Sequence, residues 1–297
     1  MSQLKQIVAA TDLSAASRHA VDRAATLAQA FDAQLTLAHS LVASALDDLR
    51  RWVGSPIPVD AIEEEVRTQL KALAGQLHDR HGARVDERVL CGHPVREICR
   101  LAAELDAELL VTGTRGAGFF RGVVVGSTAE RVATRTARPV LMVRQSVHEP
   151  YRRALVPVDF SPWSLDAVRL AHRVAPQARL VLMHAVEVPF EGRIRMAGVP
   201  DATIARYRDE VRLEAQHRLH QLADEAQLAP ERVSFSTPTG GDPWMLIAQE
   251  EQEQDCELIV MGRQGRNAFE ELLLGSTTRM VLSECAADVL VSTAHRD

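Results

Sequence analysis

The chain has 297 residues, 46% hydrophobic and 25% charged, with a formal net charge of −6 and 4% aromatic residues. That balance excludes a disordered chain, argues against a duplex nucleic-acid binder, which would carry a basic face, and leaves room for two ordinary domains. Cys91, Cys99, Cys256 and Cys285 form no C-x-x-C pair, no histidine cluster has zinc-ligand spacing, and no apolar run reaches the roughly 20 residues of a membrane helix, so a cytoplasmic chain with buried or idle reduced thiols is expected.

The first predicted strand, residues 6–11, runs into Asp12-Leu-Ser14. Ser14 is the expected N-cap of a helix whose Ala20, Ala24, Leu27, Ala28 and Phe31 recur at i, i+4, i+7, i+8 and i+11. A second strand, 35–41, contains His39, read as a histidine fixed by the strand-two backbone, and ends on Leu41. Residues 60–80 form an amphipathic helix with Ile62, Val66, Leu70, Leu73 and Leu77 on one side and the Glu63 to Glu65 run in solvent. Gly82 marks a loop before a strand over 84–90, and Gly92-His-Pro94 reads as a turn opening the next helix. A fourth strand, 108–112, leads into Gly113-Thr-Arg-Gly116. Gly126-Ser127-Thr128 starts another helix before the fifth strand, 139–143.

The same succession then returns. Ala154-Leu-Val-Pro-Val-Asp159-Phe-Ser161 matches the opening strand and its Asp-x-Ser, and Leu180 to Val186, with His184, matches the second strand. Gly241-Asp-Pro243, Glu257 to Gly262 and Asp288 to Ser292 follow in order, at offsets of 145 to 149 residues. The chain is therefore a tandem duplication, with domains over 1–147 and 152–297 and a seam near Gln145 to Tyr151. The second copy carries a longer loop broken by glycine and proline at Gly192 to Pro200, read as a flap.

Apolar runs that alternate with helical patterns imply an α/β fold. The expected architecture is two doubly wound domains, each a five-stranded parallel sheet with helices on both faces. Ligands of such sheets lie beyond the C-terminal strand ends, where strand order reverses. If strands one and four are neighbours, Asp12 faces the glycine loop across that crevice. Gly113 and Gly116 let backbone approach a ligand, and Gly126-Ser127-Thr128 presents the free amides and positive dipole of a helix start. Arg115 and Arg121 add charge suited to phosphate oxygens.

The spacing G-x2-G-x9-G-[ST], present without gaps at Gly113 to Ser127 and at Gly262 to Ser276, resembles that of the universal stress protein family in its tandem form. The resemblance spans nearly the whole chain. It implies strand order 3-2-1-4-5 and ATP held by the loop on phosphates and ribose. It places Asp12 and Leu41 near one adenine, and Asp159 and Val186 near the other. Gly113, Gly116, Gly126, Ser127 and Thr128 would serve one phosphate site, and Gly262, Gly265, Gly275, Ser276 and Thr277 its counterpart. It also implies pairing of the two halves through their fifth strands, with a further homodimer open.

The second copy departs from the first. Arg115 becomes Gln264, Arg121 becomes Glu270, Gly122 becomes Glu271, and Glu130-Arg131 becomes Arg279-Met280. Carboxylates near a triphosphate oppose it unless a divalent ion such as Mg2+ intervenes, with Arg263 and Arg266 as compensation. The first half is therefore expected to bind ATP at least as well as the second. The functional expectation is an adenine-nucleotide-binding regulator of stress adaptation that acts through an unidentified protein partner. It would need neither nucleic acid nor membrane, and any hydrolysis would be slow, since no Walker lysine motif is present. One alternative is a nucleotide-free oligomerising scaffold. The other is an adenylating or pyrophosphate-splitting enzyme, whose S-G-G-x-D-S or H-I-G-H loops are replaced here by T-D-L-S and V-D-F-S.

Overall fold

The computed structural model describes residues 4–42, 59–114, 127–146, 149–263 and 274–293. The first half runs β1 (Gln6–Ala10), α1 (Arg18–Phe31), β2 (Gln34–Leu41), α2 (Val59–His81), β3 (Arg84–Cys91), α3 (Pro94–Glu104), β4 (Leu109–Gly113), α4 (Ser127–Arg135) and β5 (Val140–Val143). The second runs β6 (Arg153–Pro157), α5 (Pro162–Val174), β7 (Arg179–Met183), α6 (Glu191–Met196), α7 (Asp201–Glu225), β8 (Val233–Ser236), α8 (Pro243–Glu253), β9 (Leu258–Gly262), α9 (Ser276–Glu284) and β10 (Asp288–Ser292).

The strands form one ten-stranded sheet, β3-β2-β1-β4-β5-β10-β9-β6-β7-β8. Each half thus has the order 3-2-1-4-5. Pairing is parallel throughout except at the centre, where β5 and β10 run antiparallel. The period-2 alternation of a strand buried on both faces is plain in β1. Ile7 and Ala9 join the core under α1, α2, α5 and α7, while Val8 and Ala10 join the core under α3, α4, α8 and α9. Both cores contain residues of both halves. The outermost strand of the first half, β3, alternates exposed and half-buried positions and is studded with Arg84, Asp86, Glu87 and Arg88, which discourage pairing with another chain.

The predicted helix faces hold. Ala20, Ala24, Leu27 and Ala28 are buried and Phe31 packs against the core, as do Leu70, Leu73 and Leu77 of α2. Pro94 and Pro243 both stand in the first turn of their helices, after His93 and Asp242. Three expectations need correction. Ser14 does not cap α1, which begins four residues later. It caps an intervening turn instead, where the Ser17 amide donates to Ser14 Oγ at 3.2 Å. The second strand of the second half stops at Met183 rather than reaching Val186, which keeps only an isolated bridge to Thr239. Pro238 in the facing chain has no N–H with which to continue the ladder. Finally, the insertion at 192–200 is partly helical: Glu191 bonds Arg195 one turn on and Arg208 of α7, which anchors α6.

Candidate functional site

In each half the first strand lies between the second and the fourth, so the sheet changes winding direction there and a crevice opens at the C-terminal strand ends. Asp12 stands two residues beyond β1 on one lip, and Gly113 closes β4 on the other; Ala10 is in register with Thr112. The second crevice opens deeper. β6 and β9 pair only at Ala154–Leu258 and Leu155–Ile259, and Pro157 lacks the N–H that a further rung would need.

The two aspartates build the same turn. Asp12 Oδ1 accepts the Ser14 amide at 3.0 Å and the Ser14 hydroxyl; Asp159 Oδ1 accepts the Ser161 amide at 3.0 Å and the Ser164 hydroxyl at 3.1 Å. The intervening residues, Leu13 and Phe160, have φ of 62° and 58°. A bulky side chain in that left-handed region costs on the order of 1 kcal/mol or more, and the doubled Asp–Ser clasp offsets it in both halves. His39 and His184 donate from Nδ1 to the carbonyls of Thr11 and Val158, at 2.9 and 2.8 Å. The first-strand exit thus holds both rings, rather than the backbone of their own strand as expected.

The helix starts lie on the opposite lip. Gly275 is the N-cap of α9 and supplies no side chain, so the first-turn amides carry no side-chain cap. The Gly275 amide donates to the Arg263 carbonyl at 2.9 Å and Thr278 Oγ donates to the Gly262 carbonyl at 3.1 Å, stapling the helix start to the end of β9. Ser276 is exposed and Thr277 half-buried; Thr128 is exposed at the start of α4. Arg115, Gly116, Arg121, Gly126, Gln264, Gly265, Arg266, Glu270 and Glu271 lie outside the described residues, as does the side chain of Ser127.

The Arg263 guanidinium reaches across to the other half of the chain. It donates to the Thr134 and Thr136 carbonyls at the C-terminal end of α4, at 3.5 and 3.2 Å, where a helix end favours a cation. Leu41 and Val186 are buried at the mouth of the second-strand ends. The Leu41 carbonyl accepts the Gly92 amide at 2.9 Å, and the Val186 amide donates to Pro238 at 2.8 Å.

An asymmetry between the halves escapes any reading of single motifs. Beside the Asp12 turn lies a cavity of about 230 Å³, lined by Thr11, Leu13, Ser14 and Ser17 and by Gln69 and Gln76 of α2, among others. Leu70, Leu73, Ala74 and Leu77 recur in spacing as Leu219, Leu222, Ala223 and Ala226, so Gln69 corresponds to Arg218 and Leu13 to Phe160. In the second half that pair is stacked, with Arg218 Cζ 4.0 Å from the Phe160 ring centroid and the His184 ring 4.4 Å from Phe160. Among the described residues no group of three or more His, Cys, Asp or Glu side chains could hold a metal ion.

Three comparisons bear on this geometry. The universal stress protein family model matches twice, over residues 3–144 and 150–293. A universal stress protein of Mycolicibacterium smegmatis is 26% identical, the alignment covering 96% of each chain. One from Mycobacterium tuberculosis is 33% identical, with 48% of this chain covering 98% of it. Among solved structures, a universal stress protein from Archaeoglobus fulgidus superposes with a TM-score of 0.69 at 20% identity over 98% of both chains. With one family match on each five-stranded half and the strand order expected of it, the chain belongs to the universal stress protein family.

Proposed function

We infer that the chain binds adenine nucleotide at its two switch-point crevices and works as a nucleotide-responsive regulator rather than as an enzyme. The observation that carries this reading is the doubled crevice, with an aspartate turn on one lip and a glycine-ended strand followed by a helix start on the other. The α9 start fits an anion: its amides are uncapped by any side chain, and no acidic residue stands in its first turn. Phosphates of ATP would lie there and at the start of α4, with Gly113, Gly116, Gly126, Ser127 and Thr128 in one half and Gly262, Gly265, Gly275, Ser276 and Thr277 in the other. Arg115 would add charge to the first site. Adenine would rest near Asp12 and Leu41, or near Asp159 and Val186. Mg2+, if it accompanies the nucleotide, would be held mainly by phosphate oxygens and water.

The first site is the stronger one in this reading. It has Arg115 where the second has Gln264, open space beside Asp12 where the second has Phe160 under Arg218, and Arg121 and Gly122 in place of the carboxylates Glu270 and Glu271. Titration calorimetry of the intact chain with ATP tests the proposal. Asp12→Ala is expected to weaken uptake at least tenfold, and Asp159→Ala to weaken it less. Absence of heat with ATP, ADP and AMP at millimolar concentration, together with no nucleotide released from the purified protein, would return the chain to the scaffold reading.

A further inference from the structure

The internal symmetry of the chain has an axis that can be located. Leu141 of β5 pairs with Leu290 of β10. These residues are each other's repeat counterparts, since 290 − 141 = 149, the same offset that relates Gly126 to Gly275. The axis therefore passes between them, and counterpart residues close to it face one another. Glu130 of α4 and Arg279 of α9 are such a pair (279 − 130 = 149), and Arg279 Nε lies 3.2 Å from Glu130 Oε1. Two identical halves would place like charges there, Glu against Glu or Arg against Arg.

A second mismatch lies deeper. Asp288, fully buried at the head of β10, accepts the Tyr151 hydroxyl at 2.7 Å and the Arg144 and Gln145 amides at 2.7 and 3.1 Å; the Arg23 guanidinium of α1 approaches it to 3.5 Å and stacks 4.0 Å from the Tyr151 ring centroid. The counterparts of Asp288, Arg23 and Tyr151 are Pro139, Leu170 and Leu4, by the offsets of 149 and 147 that relate the strands. The ionic cluster thus exists on one side of the axis and is replaced by apolar residues on the other. A first half paired with another first half would bury Arg23 without a carboxylate, and a second half paired with its copy would bury Asp288 without a cation.

We propose that the two halves carry a heterotypic pairing code: each fifth-strand face accepts the other half and rejects a copy of itself, so the seam closes within one chain instead of assembling like halves from different chains. The rim charges Glu130 and Arg279 supply repulsion against the wrong pair, and the buried Arg23–Asp288 contact supplies an unpaired charge. The proposal does not depend on nucleotide binding.

The intact chain provides the first test, because single substitutions recreate the forbidden seams. Arg279→Glu sets Glu against Glu130, as in a first–first pair, and Glu130→Arg sets Arg against Arg279, as in a second–second pair. For a half-exposed pair each is expected to raise the unfolding constant in urea about two- to fivefold, with the double exchange restoring it. Additive losses in the double variant would overturn the rim half of the code. The second test cuts the folded chain at a protease site placed near residue 148, reshuffles the halves in partial denaturant, and weighs the complexes by native mass spectrometry. First–second pairs are expected to dominate by more than tenfold, and a statistical mixture of first–first, first–second and second–second pairs would refute the proposal. Should the freed halves aggregate, the urea cycle with Asp288→Asn added decides. A loss no larger in Asp288→Asn than in Asp288→Asn/Arg23→Leu counts against the buried half of the code.

Discussion

Gly92 sits at φ 143°, a conformation open to glycine and costly to any residue with a Cβ. A Cβ built there would come within 3.0 Å of Glu97 Cγ and Oε1, and Glu97 is itself buried between Arg96 and Arg100. Gly92→Ala is expected to destabilise the chain by about 1–3 kcal/mol in urea unfolding, and a loss of a few tenths would show that the turn relaxes freely. The glycine was legible as a turn signal, as was the Pro94 that follows it. The Asp-x-Ser turns were legible as a pair, whereas the left-handed Leu13 and Phe160 within them were not: no propensity favours those residues there, and only the surrounding bonds hold them. Arg263 shows the opposite limit. Its place beside the glycine loop suggested a phosphate ligand, but the distance to Thr134 and Thr136 depends on how the halves meet, and that information is not local.

Elements were read more securely than residues because their signal is periodic. The strand pattern placed nine of the ten strands, leaving β8 (Val233–Ser236) without a segment, and the helix faces of α1 and α2 were named residue by residue. The ends were less legible: β7 stops where a facing proline withholds an N–H, and α6 forms through a bond from Glu191 to Arg208, seventeen residues away. One of the two shortest strands is also the most consequential. Four residues of β5 join five of β10, and this antiparallel contact joins the two parallel halves into one sheet. Buried on both faces, these strands should open only with global unfolding. Their amide hydrogens are expected to exchange at the rate set by total stability, as slowly as those of β1 and β4. Exchange at Leu141 and Leu290 faster by orders of magnitude would mean that the halves separate while each stays folded.

The whole molecule conceals acids that prefer to stay protonated. Burial raises the Cys256 and Cys285 thiols to about 12, and burial followed by the Asp288 charge raises the Tyr151 phenol well above its usual range. Each therefore holds its proton to higher pH in the folded chain than in the unfolded one. Their contribution is full below about pH 8.5, where the unfolded thiol begins to ionise, and is lost as pH climbs toward 12. Stability measured by urea unfolding should accordingly fall steadily from pH 9 to pH 11, and at pH 8 Cys91, which is exposed, should react with a disulfide reagent while Cys256 and Cys285 wait for unfolding. A flat stability profile across that range would contradict the buried placement.

The amino-acid sequence by itself determined that the chain is a duplicated α/β protein of the universal stress family, because strand and helix periodicity and glycine spacing are local properties repeated in order. Tertiary structure alone decided which groups meet. It brought Arg263 to the Thr134 and Thr136 carbonyls of the other half, set Glu130 opposite its own counterpart Arg279, and gathered Arg23, Tyr151 and Asp288 from positions more than a hundred residues apart. The reason is physical: local patterns specify which face each element buries, whereas the partners of a charge are fixed only when those faces close on one another.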